Sequence, residues 1–531
     1  MKTSKGANLS QRILVILSTL MIFLMSCIFT SGVKPASTPT TSSPTETLAA
    51  AATDTLPPEP TAKDTRTTVP TQLSPTQPSK ATATAPNIPT AKATQPAATK
   101  TPVSGGSSTG KLASNPPWLI FRVSNGLWIA NPDGSALTQL SKEAILGPSD
   151  LTHGLSPDGK MLAFISGDPD SMHNLILSLM TLPDGKVKLV TTLTSKATEP
   201  GPWSGTLDAK TDAVRSITEV DSMAWSPDGK SLAFIGLQAG PTADLYSYTL
   251  STGKIAHLSD GPAQAYGPQW SPDGNYIVNF GVTTFGTGGG YTMAGGWATT
   301  PDGSQTITLF PPGGSAQEFG GWVNGHTFLI NSWTMMCGPQ DLRIYDLSTK
   351  KETSLVKGCF NGKAVAEYDG TILVAGNGNS GGLKGLYIFG PSNFTRKQLS
   401  QETAQSVQYL KQDGGFLVKF DHTQTIYTGS GEAIIQAPAI NCGYNTSLAA
   451  FGALYAWTCS KGEVGVWVNG PGVPANKVFD QAAILPAWSG KNTLFFFNNG
   501  TFYRGLFPDY KPEAMGKIDG DTLGLAWAGQ P

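Results

Sequence analysis

Charged residues are scarce in this sequence and are nowhere clustered. Of its 531 residues only 14% are charged, and the formal net charge at pH 7 is -1. A nucleic-acid-binding surface needs clustered Lys and Arg to neutralise phosphates, and no segment supplies such a cluster. The low charged fraction also disfavours long charged helices. We therefore predict no nucleic-acid partner and no helical bundle.

Metal-binding and catalytic patterns are missing as well. The five histidines are scattered, and the five cysteines include no Cys-x-x-Cys pair. The glycine run 286–290 has no helix pattern after it, so it does not predict a nucleotide cradle. Residues 378–382 fit the Gly-x-Ser-x-Gly spacing of serine hydrolases, but they lie in a glycine-rich loop between two strands rather than at a strand-to-helix elbow. We predict no metal, no cofactor and no catalytic residues, so the protein is not expected to be an enzyme.

The N-terminus has the composition of a bacterial export signal. Three basic residues precede an apolar run over residues 13–25. The residues Leu-Met-Ser-Cys27 that end this run resemble a lipobox, although Met25 is bulkier than the usual residue there. The resemblance implies a lipoprotein signal peptide at 1–26 and a lipid anchor on Cys27, which would hold the protein in the cell envelope outside the cytoplasmic membrane. An uncleaved signal anchor is the alternative, because residues 13–29 are just long enough to span a bilayer.

Residues 27–114 form a low-complexity tract of Thr, Pro, Ala and Ser with almost no aromatic or large aliphatic side chains. Such a composition cannot bury enough apolar surface to offset the entropy of ordering. Proline-rich chains stiffen toward polyproline II, at about 3.1 Å per residue when extended. We expect a disordered stalk that holds a folded domain, residues 115–531, away from the membrane.

The remaining four cysteines all fall in the predicted folded domain. An even number of cysteines in an exported chain predicts two disulfides. Three pairings are possible, and the short spacing within each couple favours Cys337 with Cys359 and Cys442 with Cys459.

From residue 118 onward the sequence is repetitive. The unit consists of a short apolar strand, the turn Ser-Pro-Asp-Gly and a second apolar strand, and its best copies begin at Leu155, Ala224 and Gln269. In the turn, proline presets φ, aspartate caps the backbone and glycine takes a positive φ. A second hairpin follows each copy, giving four strands per unit at a period of about 45 residues, which is typical of propeller blades.

These copies resemble the repeat of TolB-like, WD-type β-propellers, whose signature is Trp-Ser-Pro-Asp-Gly followed, after two residues, by two aliphatic residues and an aromatic one. The resemblance covers residues 118–531 and implies an all-β fold, a single propeller of four-stranded antiparallel blades. Later copies lack the Pro-Asp pair and match only in aromatic position and spacing. Up to nine units can be counted. Because the segment 191–220 and the copy near Asn445 are weak, we predict eight blades within a range of seven to nine.

The two ends of the folded domain look complementary. Residues 523–529 resemble a first strand that then stops, and residues 118–121 resemble a second strand without its first. A propeller must close its ring to remove exposed strand edges. We therefore expect the C-terminal and N-terminal strands to pair and complete one blade.

Strand order divides a propeller into two faces. Turns between first and second strands and between third and fourth strands share one face, here called the turn face. Connections between blades and loops between second and third strands share the opposite loop face, where the long irregular segments 194–220, 285–296 and 332–340 and all four cysteines fall. Ligand-binding residues concentrate on such loops, although the same side chains could simply cover the blade ends. Our candidate ligand-binding residues are Trp203, Phe285, Tyr291, Trp333 and Met335.

Three functions are compatible with these features. We favour a membrane-tethered binding or scaffold propeller, because a lipid, a stalk and a ring together present a surface to a partner, either an envelope protein or a glycan. The second is a hydrolase or lyase acting on polysaccharide, which would need paired acids in the central funnel. The third is an envelope assembly factor like TolB, which the resemblance implies only through the shared fold.

Overall fold

The computed structural model describes residues 110–529 except 149, 168–173, 195–208, 219–220, 286–290, 311–315, 335–337, 359–361, 367–368, 378–382, 392, 411–414, 439–445, 452–453 and 471–472. Some side chains at strand ends, including those of Phe285, Tyr291 and Trp333, are also outside this description. The described residues form 35 strands, the helices α1 (Leu151–Gly154) and α2 (Ala209–Thr218), and a 3-10 turn at Gly490–Asn492.

The strands form nine antiparallel sheets, eight with four strands and one with three, and these are the blades of a propeller. Blade 1 joins the two ends of the domain and contains β1 (Trp118–Val123), β2 (Gly126–Ala130), β3 (Thr138–Ser141) and β35 (Thr522–Ala528). Blade 2 contains β4 (Met161–Ser166), β5 (Ile176–Thr181) and β6 (Lys186–Thr192). A single bridge between Leu155 and Leu162 takes the place of the first strand of blade 2.

Blades 3 to 9 each contain four consecutive strands. Blades 3 to 5 contain β7 (Met223–Trp225), β8 (Ser231–Gly236), β9 (Asp244–Thr249), β10 (Lys254–His257), β11 (Gln264–Trp270), β12 (Ile277–Phe285), β13 (Tyr291–Thr299), β14 (Thr306–Phe310), β15 (Ala316–Trp322), β16 (Thr327–Thr334), β17 (Gly338–Asp346) and β18 (Lys351–Val356). Blades 6 and 7 contain β19 (Gly362–Ala366), β20 (Ile372–Asn377), β21 (Lys384–Phe389), β22 (Arg396–Ser400), β23 (Ser406–Leu410), β24 (Gly415–Lys419), β25 (Thr423–Thr428) and β26 (Ala433–Pro438). Blades 8 and 9 contain β27 (Thr446–Phe451), β28 (Leu454–Cys459), β29 (Gly465–Gly470), β30 (Val473–Phe479), β31 (Ile484–Ser489), β32 (Thr493–Asn498), β33 (Thr501–Leu506) and β34 (Lys511–Lys517).

The propeller has nine blades, which is within the predicted range of seven to nine, but the favoured number of eight is wrong. The weak copy near Asn445 is a complete blade, β27 to β30, although it has lost the Ser-Pro-Asp-Gly turn. In the segment 191–220, the described residues end β6 and form α2, and they add no further blade. Hydrogen bonding along the strands preserves a blade whose turn sequence has diverged, so turn motifs undercount the blades.

Ring closure by the two ends of the domain is confirmed. Strand β35 pairs antiparallel with β1, with Trp118 opposite Ala528 and Phe121 opposite Leu525. First strands of neighbouring blades also contact each other, as β7 does with β11, β27 with β31, and β31 with β35. The first strands therefore line the centre of the ring, and blade 1 closes it.

The apolar core lies between blades rather than inside any one of them. One cluster joins blades 9 and 1, where the Phe121 ring packs edge-on against Phe497 and Phe502 at centroid distances of 5.1 Å and 4.9 Å. Each sheet buries side chains on both faces against its neighbours, as expected when no single sheet forms a core alone.

The Ser-Pro-Asp-Gly turns share one hydrogen-bond pattern. In blade 3, the Ser226 hydroxyl donates to Asp228 Oδ1 at 2.7 Å and accepts from the Ser231 N–H at 2.9 Å, while the Lys230 N–H donates to Asp228 at 3.0 Å. The bonds from Ser226 and Lys230 lower the pKa of Asp228 to about 2. Gly229 has a φ of 68°, which only glycine adopts easily. Each turn thus satisfies its own polar groups and remains short.

Tryptophan side chains connect successive blades. The Trp225 indole N–H donates to the Gly154 carbonyl of blade 2 at 2.8 Å, and the Trp270 indole N–H donates to the Ala224 carbonyl of blade 3 at 2.9 Å. Trp488 of blade 9 makes the same bond to the Ala449 carbonyl of blade 8 at 3.2 Å. The tryptophan of the repeat therefore fixes the spacing between neighbouring first strands.

We expect Trp225→Phe to lower the free energy of unfolding by roughly 1–3 kcal/mol, because it leaves the buried Gly154 carbonyl without its donor. Trp128→Phe is the matched control. Trp128 is equally buried at 8% exposure, and its indole N–H has no hydrogen-bond partner among the described residues. Chemical denaturation of both variants measures the difference, and equal losses would show that the inter-blade hydrogen bond contributes nothing.

Candidate functional site

Two neighbouring blades extend beyond the others on the loop face. The second and third strands of blade 4, β12 and β13, have nine residues each, and those of blade 5, β16 and β17, have eight and nine. The corresponding strands of blade 3 have six residues each. Three extra residues at about 3.3 Å each lengthen a strand by about 10 Å. We call these two hairpins, residues 277–299 and 327–346, the raised hairpins.

The predicted irregular loops over 285–296 and 332–340 are therefore wrong in part, since strand pairing continues into both. Phe285 pairs directly with Tyr291 across the first raised hairpin, and Trp333 pairs with Pro339 across the second. Three of the five candidate ligand-binding residues thus belong to paired strands on adjacent blades. Trp203 and Met335 lie outside the described residues.

The segment 194–220 is also more regular than predicted, because it contains helix α2. Ala213, Val214 and Ile217 are buried in the apolar cluster between blades 2 and 3. The Ser216 hydroxyl donates to the Ala265 carbonyl at the start of the first strand of blade 4. The helix therefore packs onto the ring and covers the ends of blades on the loop face.

Of the four cysteines predicted to form disulfides, only Cys459 is described. It ends β28 on the loop face, is fully buried and takes part in a disulfide. Cys337, Cys359 and Cys442 lie outside the described residues. Both predicted pairings therefore remain predictions, as does the lipid on Cys27, which is outside the described part as well.

A cluster of titratable side chains occupies the loop-face end of blade 3, next to the raised hairpins. Asp244 begins β9, is only 1% exposed, and lies 3.3 Å from His257 Nε2 through its Oδ2 atom, while 33% of the His257 side chain is exposed. The Ser259 hydroxyl donates to Asp244 Oδ1 at 3.3 Å. Burial raises the pKa of Asp244, and the contacts with His257 and Ser259 only partly oppose that rise. Sequence reasoning missed this cluster because it depends on contacts between neighbouring strands.

Stacked aromatic rings hold His257 in place. Its ring lies 4.7 Å from that of Tyr246, which in turn stacks on Phe234 at 5.4 Å. Burial and the nearby Asp244 charge raise the pKa of the Tyr246 hydroxyl. Among the described residues, no nucleophile is hydrogen-bonded to the His257 imidazole.

Acidic residues are rare on the described strands that line the central funnel. Across the first strands β7, β11, β15, β19, β23, β27, β31 and β35, the single acidic residue is Glu318, whose side chain is not described. Within the described residues there is also no group of three or more His, Cys, Asp and Glu side chains arranged to bind a metal. No described helix has the length and apolarity needed to cross a membrane.

The chain enters the propeller on the turn face. Asn131, in the turn after β2, donates from Nδ2 to the Lys111 carbonyl at 3.1 Å and accepts from the Ala113 N–H at 2.8 Å. The Trp118 indole N–H donates to the Ala113 carbonyl at 3.0 Å. Residues 111–113 are thereby fixed on the face opposite the raised hairpins.

No known family profile matches the chain. An uncharacterized protein of Agrobacterium fabrum is 29% identical over 125 residues, which cover 24% of this chain and 33% of that protein. The uncharacterized peptidase YuxL of Bacillus subtilis is 44% identical over 54 residues, covering 10% of this chain and 8% of the peptidase. The chain therefore matches a third or less of either relative.

Among solved structures, a eukaryotic initiation factor superposes with a TM-score of 0.52 at 12% identity, covering 78% of this chain and 99% of that one. This similarity shows the fold alone. TolB from Acinetobacter baumannii gives a TM-score of 0.30 at 16% identity, covering 61% of this chain and 63% of TolB. A score that low adds no argument, so the propeller assignment depends on the strand topology described above.

We expect Asp244→Asn to stabilise the protein at pH 7. Because the folded state raises the pKa of Asp244, folding favours the protonated carboxyl, and wild-type stability falls as pH rises through that pKa. In thermal unfolding scans, the increase in unfolding temperature caused by Asp244→Asn should therefore be largest at neutral pH and should become smaller toward pH 4. His257→Gln is the control, since it removes the imidazole that contacts the buried Asp244 carboxylate and should destabilise the protein at pH 7. Equal destabilisation by both variants would contradict the raised pKa of Asp244.

Proposed function

We propose that the protein is a membrane-tethered binding or scaffold propeller of the bacterial cell envelope, and that the loop face around the raised hairpins is its binding surface. A lipid on Cys27 and the stalk 27–114 would attach it to the membrane. Its partner would be an envelope protein or a glycan, recognised by contact rather than altered by catalysis.

One observation carries this proposal. Residues 111–113 are fixed to the turn face through Asn131, whereas the raised hairpins stand on the opposite face. The point at which the described chain joins the propeller is therefore on the face opposite the raised hairpins. Phe285, Tyr291 and Trp333 lie on paired strands rather than in irregular loops, which would lower the entropy cost of binding.

The test is affinity capture by the full-length protein from envelope extract and from a polysaccharide panel, with the retained ligand then titrated quantitatively. Tyr291→Ala at the raised hairpin should weaken binding of that ligand about tenfold or more, as expected for an aromatic residue at the centre of an interface. Ser251→Arg, which places a bulky charge on an exposed turn-face position, should leave binding unchanged.

The identity of the ligand separates the partner classes. Retention of one protein favours the scaffold role, and retention of an intact glycan favours a carbohydrate partner. Cleavage of the glycan, or loss of binding in Ser251→Arg but not in Tyr291→Ala, would contradict the proposal.

A further inference from the structure

Arg122 is a partly buried cation that has no anionic partner among the described residues. It lies near the loop-face end of β1, and its Nη1 donates to the Pro148 carbonyl at 2.8 Å. Burial lowers the pKa of its guanidinium, and no carboxylate among the described residues raises it again. A desolvated charge that only a neutral carbonyl contacts is unfavourable, because buried ions normally require a counter-charge.

Two comparable arginines show what Arg122 lacks. Arg343 on β17 donates to Glu352 on β18 at 2.8 Å, and Arg504 on β33 donates to Glu513 on β34 at 2.6 Å. Their side chains are only 16% and 19% exposed. In both blades the counter-charge comes from the adjacent fourth strand. Arg122 therefore departs from the pattern that this propeller uses for buried arginines.

Open space lies beside Arg122 on the strand that lines the funnel. Its partner across the β1–β35 pair is Gly524. A Cβ atom added to Gly524 would meet nothing nearer than the Arg122 Cβ atom, at 3.9 Å. Trp118, Ile120 and Ala526, which share this side of the sheet with Arg122 and Gly524, pack toward blade 2. A cation and a vacant space thus lie side by side near the loop-face mouth of the funnel.

We propose that Arg122 binds the carboxylate or phosphate group of a ligand in the vacant space beside Gly524. The guanidinium N–H groups not used by Pro148 form a fork that matches either anion. The site gives the loop face a ligand class and in that respect rests on the proposed function. Its test measures the anion directly, so a negative result here leaves the capture experiment unaffected.

The experiment measures the unfolding temperature of the full-length protein in acetate, butyrate and phosphate, each against chloride at equal ionic strength. Acetate and phosphate should raise the unfolding temperature above its value in chloride, because a ligand that binds only the folded state stabilises it. Butyrate should raise it to a similar extent as acetate, since it presents the same carboxylate to the guanidinium. No shift in any of the three anions would overturn the proposal.

Three variants test whether the rise in unfolding temperature caused by anions comes from Arg122. Arg122→Gln should abolish the response to anions. Gly524→Glu places a carboxylate in the vacant space within reach of Arg122, so it should raise the unfolding temperature in chloride and remove the anion response. Gly524→Ala fills the space without charge and should keep the response. If Arg122→Gln fails to fold, Gly524→Glu still tests the anion site. An unchanged anion response in Gly524→Glu would overturn the proposal.

Discussion

Pairing between β35 and β1 is the constraint on which the rest of the structure depends. The propeller has no core within a blade, since its apolar clusters lie between neighbouring sheets. Blade 1 is a complete four-stranded sheet only when the C-terminal strand supplies its first strand. Closure therefore completes the ring beside the contact of Phe121 with Phe497 and covers the edge of β1 that would otherwise face the funnel.

Closure also determines what each face can do. The turn face consists of short turns that satisfy their own polar groups, as Asp228 does with Ser226 and the Lys230 N–H, and it receives the incoming chain at Asn131. The loop face has the longer elements, which are α2 and the two raised hairpins. A ring held at fixed spacing by Trp225 and its equivalents gives these elements a rigid base, which is what a binding surface requires.

The parts of the fold that could be predicted are those encoded by local chemistry. Ser-Pro-Asp-Gly turns identified blades 2 to 4, and the complementary ends correctly predicted the closure. Blade 8 is only weakly indicated by the sequence, because its turn residues have diverged although its strands still pair. The raised hairpins were interpreted as loops because glycine-rich sequence hides continued pairing between Phe285 and Tyr291. Neither the Asp244–His257 contact nor the isolation of Arg122 could be predicted, since both depend on burial and on neighbours across strands.

The central claim is that the loop face, and not the turn face, binds the partner. Hydrogen–deuterium exchange of the full-length protein, with and without its captured ligand, tests this most directly. The account predicts slower exchange in the raised hairpins, residues 277–299 and 327–346, and unchanged exchange in turns such as 226–229. Protection confined to the turns, with the raised hairpins unaffected, would contradict it.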